Sequence, residues 1–195
     1  MRQCLSVIAF LFAHQAFAQG LQLGNPAYGG TGCPAGSASV ALSPDSKAIS
    51  ILFDQYVVEA GGATAFGRKN CNIAVPVHVP QGYSVSVFAI DYRGFIGLPY
   101  GGRATLNVDY FLAGQGRGVH TSKSFSGPAS TDYIKSDNLG LEAIVWSSCG
   151  ADTILRANTT LLVNSNGRRE QAMATVDSAD IQAGLIYHIQ WRRCN

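Results

Sequence analysis

Long stretches of this sequence alternate apolar and polar residues with a period of two. Over Cys71–Val79, the residues Cys71, Ile73, Val75, Val77 and Val79 share one face, and Asn72, Ala74, Pro76 and His78 share the other. Successive side chains of a strand point to opposite faces, so this rhythm describes a strand with one face buried. The same rhythm runs through Ile49, Ile51 and Phe53, through Leu155, Ala157, Thr159, Leu161 and Val163, and through Leu185, Tyr187, Ile189 and Trp191. Thr105–Leu112 and Ala143–Trp146 are shorter runs of β-branched and aromatic residues, types that fit a pleated surface. No segment carries a convincing 3.6-residue period. Turn-forming clusters separate the runs at Ser43-Pro44-Asp45, Gly61-Gly62, Gly101-Gly102, Gly127-Pro128 and Asn164–Gly167. The pattern predicts an all-β fold of about nine or ten strands, an antiparallel β-sandwich or jelly roll.

Two local signals refine this. Pro76 has no N–H to give a ladder, which predicts that its strand runs along a sheet edge. Pro80-Gln81-Gly82 suits a three-residue hairpin loop, with Tyr83–Arg93 returning antiparallel. In that second strand the apolar positions are Val85, Val87 and Ala89, then shift to Phe88 and Ile90. Such a shift predicts burial on both faces or a β-bulge.

The N-terminus reads as an export signal. Met1-Arg2-Gln3 is short and basic, Leu5–Phe12 is apolar, and Ala16-Phe17-Ala18 supplies the small-x-small pattern of a cleavage site before Gln19. His14 and Gln15 interrupt the apolar run, which is too short for the roughly 20 residues of a membrane span. No later stretch is long and apolar enough to span a bilayer. The expected organisation is a cleaved signal over residues 1–18 and a single β-sandwich domain over 19–195, placed outside the cell or in a periplasm.

Of five cysteines, Cys4 leaves with that signal. Cys33, Cys71, Cys149 and Cys194 remain in an oxidising compartment, where an even number implies two disulfides. Three pairings are open. We favour Cys33–Cys71 and Cys149–Cys194, which tie an N-terminal loop to one hairpin and the last strand to another. Zinc is the weaker reading. Its ligands come in close pairs, whereas the nearest two of these cysteines lie 38 positions apart.

Composition narrows the function. Without Arg2, thirteen basic residues face twelve acidic ones. That balance speaks against nucleic acid and anionic membranes, which call for a clustered basic face. Charged residues make up 13% of the chain, about half of the usual ~25%, as in glycine-rich extracellular β-domains. No P-loop, dinucleotide glycine fingerprint, zinc-binding helix motif or nucleophile elbow occurs, and nothing implies a cofactor or metal. Gly114–Gly118 is glycine-rich but wrongly spaced for phosphate and reads as a surface loop. His78 and His188 fall on the polar sides of strands, and His120 is the remaining histidine of the mature chain.

Asp91-Tyr92-Arg93-Gly94 is the densest polar cluster and is placed at a strand end. Asp91 and Arg93 share a face and form an exposed ion pair in the plainer reading, with Gly94 permitting a bend. In the sharper reading Asp91, Tyr92, Arg93 and Tyr110 form a recognition patch in which the tyrosines offer stacking surfaces. Glycoside hydrolysis needs paired carboxylates. Asp54, Asp91, Glu142, Asp177 and Asp180 are candidates, and their spacing singles out no pair. Asp177-Ser178-Ala179-Asp180 lacks the ligand pattern of a calcium loop and reads as a turn. Asn158-Thr159-Thr160 is an N-glycosylation sequon, relevant in a eukaryotic host.

Several strings, in order, resemble a known family. They are Gly32-Cys33-Pro34-Ala35-Gly36-Ser37, Ser43-Pro44-Asp45, Leu52-Phe53-Asp54, Lys69-Asn70-Cys71 and Val79-Pro80-Gln81-Gly82-Tyr83, followed by Asp91-Tyr92-Arg93-Gly94, Trp146-Ser147-Ser148-Cys149-Gly150, Asp177-Ser178 and Trp191-Arg192-Arg193-Cys194. Together they are similar to the fungal and bacterial secreted proteins gathered as domain of unknown function 4360. The resemblance implies a secreted, cysteine-bridged domain and brings no catalytic residues. The expectation is therefore a non-enzymatic binding or structural module at a surface or in the extracellular matrix, with a surface glycan or an extracellular protein as partner. The alternatives are a secreted carboxylate-dependent hydrolase and a disulfide-rigidified inhibitor or effector.

Overall fold

The computed structural model describes residues 21–114, 118–139, 144–177 and 185–194. The expected signal peptide, Glu142 and Asp180 lie outside them. Among the described residues there is no helix, and regular structure comes in thirteen strands rather than nine or ten. In chain order these are β1 (Gln22–Leu23), β2 (Ala27–Gly29), β3 (Ala38–Leu42), β4 (Ala48–Phe53), β5 (Val57–Ala60), β6 (Phe66–His78), β7 (Tyr83–Leu98), β8 (Arg103–Leu112), β9 (Gly118–Ser126), β10 (Ala129–Asn138), β11 (Thr153–Asn164), β12 (Ala172–Thr175) and β13 (Leu185–Arg193). The surplus includes β1, β2 and β12, pieces of two to four residues that are too short to display a period.

Two antiparallel sheets face each other. The first has the order β1-β6-β11-β8-β9, with β2 also on β6; the second runs β3-β4-β13-β7-β12-β5, with β10 also on β7. The alternating apolar residues meet between them. Ile73, Val75, Leu106, Val108, Leu161 and Val163 come from the first sheet, and Ile49, Ile51, Ile90, Leu185 and Tyr187 from the second, all at most 3% exposed. The sandwich edge between β9 and β10 is closed by the Phe125 and Tyr133 rings, 4.5 Å apart, and by a Lys123–Asp137 ion pair.

The disulfides are Cys33–Cys71 and Cys149–Cys194, with Cα separations of 5.4 and 6.0 Å. The first fastens the chain between β2 and β3 to the middle of β6. The second joins the turn before β11 to the end of β13.

Four sequence expectations are corrected. First, β6 is not an edge strand at Pro76. It pairs with β11 on one side, while β1 and β2 divide the other side between them. The gap between those two short strands falls opposite Pro76, whose missing donor is the reason for the gap, and the Gly24 N–H reaches the Pro76 carbonyl at 2.9 Å.

Second, the turn at Pro80 forms, with Gly82 at φ 80° and the Tyr83 N–H on the Pro80 carbonyl at 3.1 Å. However, β6 and β7 lie in different sheets, so this turn is an arch across the sandwich and not a hairpin. Both strands bury valines toward the same core from opposite sides, and the local turn chemistry does not distinguish the two outcomes.

Third, Ile144–Trp146, the described part of a predicted strand, is not one. It lies along the β7 edge, where the Ser86 hydroxyl donates to the Val145 carbonyl (2.8 Å) and the Ser147 N–H to the Val85 carbonyl (2.9 Å). Fourth, Asp91–Gly94 sits within the sixteen-residue β7 and not at a strand end.

The apolar shift within β7 is a bulge. The ladder to β13 pairs Ala89 with His188 and Val87 with Ile189, leaving Phe88 over. Phe88 is 40% exposed. Beyond it, Ile90, Tyr92, Gly94, Ile96 and Leu98 turn inward, and Asp91, Arg93, Phe95 and Gly97 turn outward.

Candidate binding face

The outward half of β7 lies near the centre of the second sheet, and its neighbours follow from register. Asp91 faces Ser136 on β10 and Ile186 on β13; Arg93 faces Ile134; Phe95 faces Asp132. At the far end one row crosses four strands, Ser130–Gly97–Met173–Glu59, from β10 through β7 and β12 to β5. Residues opposite each other in such pairs bring their side chains within about 5 Å.

Gly97 puts no side chain into that row, and the Met173 and Phe95 side chains lean over it, 3.2 and 3.3 Å from where a Cβ would stand. With Glu59, Gln171 and Ser130 they line a hollow of about 420 Å³. A second hollow of about 300 Å³ shares Phe95 and Met173 and continues to Val57, Asp54, Thr175 and Asp177. Together they make a trough with an apolar floor, the Phe95 ring and the Met173 thioether. Carboxylates, an amide and hydroxyls form its rim. Ile134, 63% exposed, extends the apolar surface along the face.

The trough is held rigidly. The Phe95 N–H donates to the Thr175 hydroxyl at 2.9 Å, and that hydroxyl donates to the Asp177 carbonyl at 2.7 Å. The Asp177 N–H reaches the Arg93 carbonyl at 3.0 Å, and Asp177 Oδ2 accepts the Phe53 N–H at 2.8 Å. Asp177 thus locks the ends of β4 and β12 to β7 from a positive φ of 111°.

The sequence-predicted patch is divided by the structure. Asp91 and Arg93 are on this face, but Tyr92 and Tyr110 are at most 5% exposed and lie between the sheets. Burial pushes both phenols above their ordinary pKa. The Tyr92 hydroxyl is spent on the Thr121 hydroxyl at 2.7 Å. Neither ring offers a stacking surface, because the bulge at Phe88 sends even-numbered β7 residues inward and β8 buries its own even-numbered positions. Gly94 makes no bend either. It is buried where the Thr175 carbonyl and the Tyr133 hydroxyl crowd the strand.

The plainer Asp91–Arg93 pair is replaced as well. Asp91 accepts from Ser136 Oγ at 2.5 Å and pairs with His188 Nε2 at 2.8 Å. Burial raises the Asp91 pKa, but the Ser136 and His188 hydrogen bonds outweigh it and hold the carboxyl below its usual range. Serine, aspartate and histidine therefore meet here with the carboxylate in the middle. Acyl transfer needs the imidazole between the other two, so this arrangement activates no serine.

The other two histidines also have aspartate partners, His78 with Asp152 and His120 with Asp109, both at 2.7 Å. Of the candidate carboxylates, Asp54 and Asp177 line one hollow and Asp91 lies further along the face. Among the described residues, no three of His, Cys, Asp or Glu gather as metal ligands.

Sequence reasoning missed Phe95, Gly97, Met173 and Glu59. The one available signal was parity. Once the alternation shifts at Phe88, Phe95 and Gly97 must share the face of Asp91 and Arg93.

This disulfide-bridged antiparallel sandwich is a secreted domain, and comparison with known proteins places it in a family. The chain belongs to the domain of unknown function DUF4360, whose model matches residues 19–194. An uncharacterized secreted protein of Arthroderma benhamiae is 37% identical over 169 residues, covering 86% of this chain and 69% of its own length. Among solved structures, TmCBM61 in complex with β-1,4-galactotriose aligns over 87% of this chain and 88% of its own, at 14% identity and a TM-score of 0.28. The enzymatically active domain of bacteriophage CBA120 tailspike protein 4 aligns over 87% of this chain and 19% of its own, at 15% identity and a TM-score of 0.23. Likenesses this distant carry no functional argument.

Proposed function

We propose that the chain is a secreted, non-catalytic binding module that holds an extracellular glycan in the trough over Phe95 and Met173. The observation that carries this reading is the Ser130–Gly97–Met173–Glu59 row, where the Phe95 ring and Met173 lie over Gly97 and line a hollow with Glu59, Gln171 and Ser130. Ligand sites combine an apolar floor with a few placed polar groups. A pyranose offers a C–H face to the Phe95 ring and hydroxyl donors to the acceptors of Asp54, Glu59 and Gln171.

Pull-down of the oxidised protein on insoluble polysaccharides, followed by glycan-array profiling, tests this. Phe95→Ala should lower retention at least tenfold while leaving the unfolding midpoint close to wild type. Capture of an extracellular protein with no glycan retained would overturn the glycan reading.

One observation favours hydrolysis as a second reading, since Asp54 and Asp177 line the same hollow. Against it, Asp177 already accepts a backbone N–H that anchors β4. Release of reducing ends from a retained polysaccharide, lost in Asp54→Asn, would establish the enzyme instead.

A further inference from the structure

The outer face of the first sheet differs in kind from the trough. Register lays polar residues across it in rows, Asn70–Thr160–Asn107–Ser122 and Asn72–Asn158–Asp109–His120. Asn158 stands on the central strand β11, within the chain's one N-x-S/T sequence, Asn158-Thr159-Thr160. Strand parity decides whether that sequence is compatible with a glycan. Thr159 is the inward residue, 2% exposed, with its hydroxyl on the Cys71 carbonyl at 3.1 Å and the Tyr56 hydroxyl at 3.0 Å. Asn158 and Thr160 therefore point out of the sandwich. Among the described residues no side-chain hydrogen bond occupies the Asn158 amide. A register shifted by one would have put Asn158 in the core, where a sugar and the fold exclude each other.

We infer that Asn158 carries an N-linked oligosaccharide that spreads over the outer face of the first sheet. The donor is a lipid-pyrophosphate-linked oligosaccharide of a eukaryotic secretory pathway. Asn158 Nδ2 forms a bond to C1 of the first sugar. The C1–O bond to the pyrophosphate breaks, the lipid pyrophosphate leaves, and the amide gives up one proton. Transfer takes place on the unfolded chain. On folding, the first sugar emerges between Asn72 and Asp109, beside Arg156 and Thr160, over a bed of amide, carboxylate and hydroxyl groups. This assignment is independent of the trough, which lies on the opposite face.

The full chain, secreted from a eukaryotic host, is measured by intact mass before and after peptide-N-glycosidase. The expected result is loss of one oligosaccharide from the wild type, with the side-chain amide at position 158 converted to a carboxylate. Asn158→Gln and Thr160→Val should be secreted at the bare mass and be unmoved by the enzyme. Thr160→Val keeps Asn158 and nearly the shape of threonine, so it serves where the first variant fails to fold. A wild type secreted at the bare mass, or an enzyme-sensitive mass persisting in Thr160→Val, would overturn the assignment.

Discussion

A methyl group added at position 94 would lie 2.2 Å from the Thr175 carbonyl oxygen and 2.7 Å from the Tyr133 hydroxyl. The Tyr133 hydroxyl donates to that same carbonyl at 2.8 Å, so neither neighbour yields without breaking the other's contact. Gly94→Ala is expected to cost about 1–3 kcal/mol by overpacking, read as a lower midpoint in denaturant unfolding. An unchanged midpoint would mean that β12 is not clamped there. Asp91 is a second single-residue lever. Its folded pKa lies below its ordinary value, so its stabilising contribution is full above the unfolded pKa of about 3.9 and disappears as pH falls through the folded value. Stability should therefore drop on acidification below about pH 4, and Asp91→Asn should flatten that acid limb. An acid limb equally steep in the variant would show that the Ser136–Asp91–His188 contacts do not persist in solution.

Among the elements, the long strands were readable because each buries one face, as β4, β6, β11 and β13 do. Pairing was not readable. Pro80-Gln81-Gly82 encodes a tight turn, but whether its flanking strands pair or arch apart depends on partners far along the chain. For β6 the partner is β11, and for β7 it is β13. The bulge was legible as a phase shift, and its residue, Phe88, is the element-level prediction. Deleting Phe88 removes the extra residue and joins Val87 to Ala89, which already face Ile189 and His188 on β13. The alternation becomes regular, and Ile90, Tyr92, Ile96 and Leu98 stay inward. The deletion variant should therefore still unfold cooperatively, whereas inserting a second residue after Phe88 moves Ala89–Leu98 by one position, turns their apolar set toward solvent and should abolish the cooperative transition.

For the molecule as a whole, the sandwich is fastened by two covalent ties with sequence separations of 38 and 45. In the loop-entropy account, ties of this length each stabilise by about 4 kcal/mol. Reduction, or the paired Cys33→Ser and Cys71→Ser change, should lower the unfolding midpoint strongly, and an unmoved midpoint would show the ties to be structurally idle. The four cysteines, all-β class and secretion were legible because composition and period act locally. The trough was not, because Ser130, Gly97, Met173 and Glu59 share no sequence neighbourhood and meet only through register.

The two outer faces point in opposite directions, and the trough is on one of them. On the binding reading proposed above, a copy that lays its trough on a polymer turns the opposite sheet, with its rows of amides and hydroxyls around Asn158, to the solvent. What the coated surface then presents to its surroundings is that polar face and not the polymer.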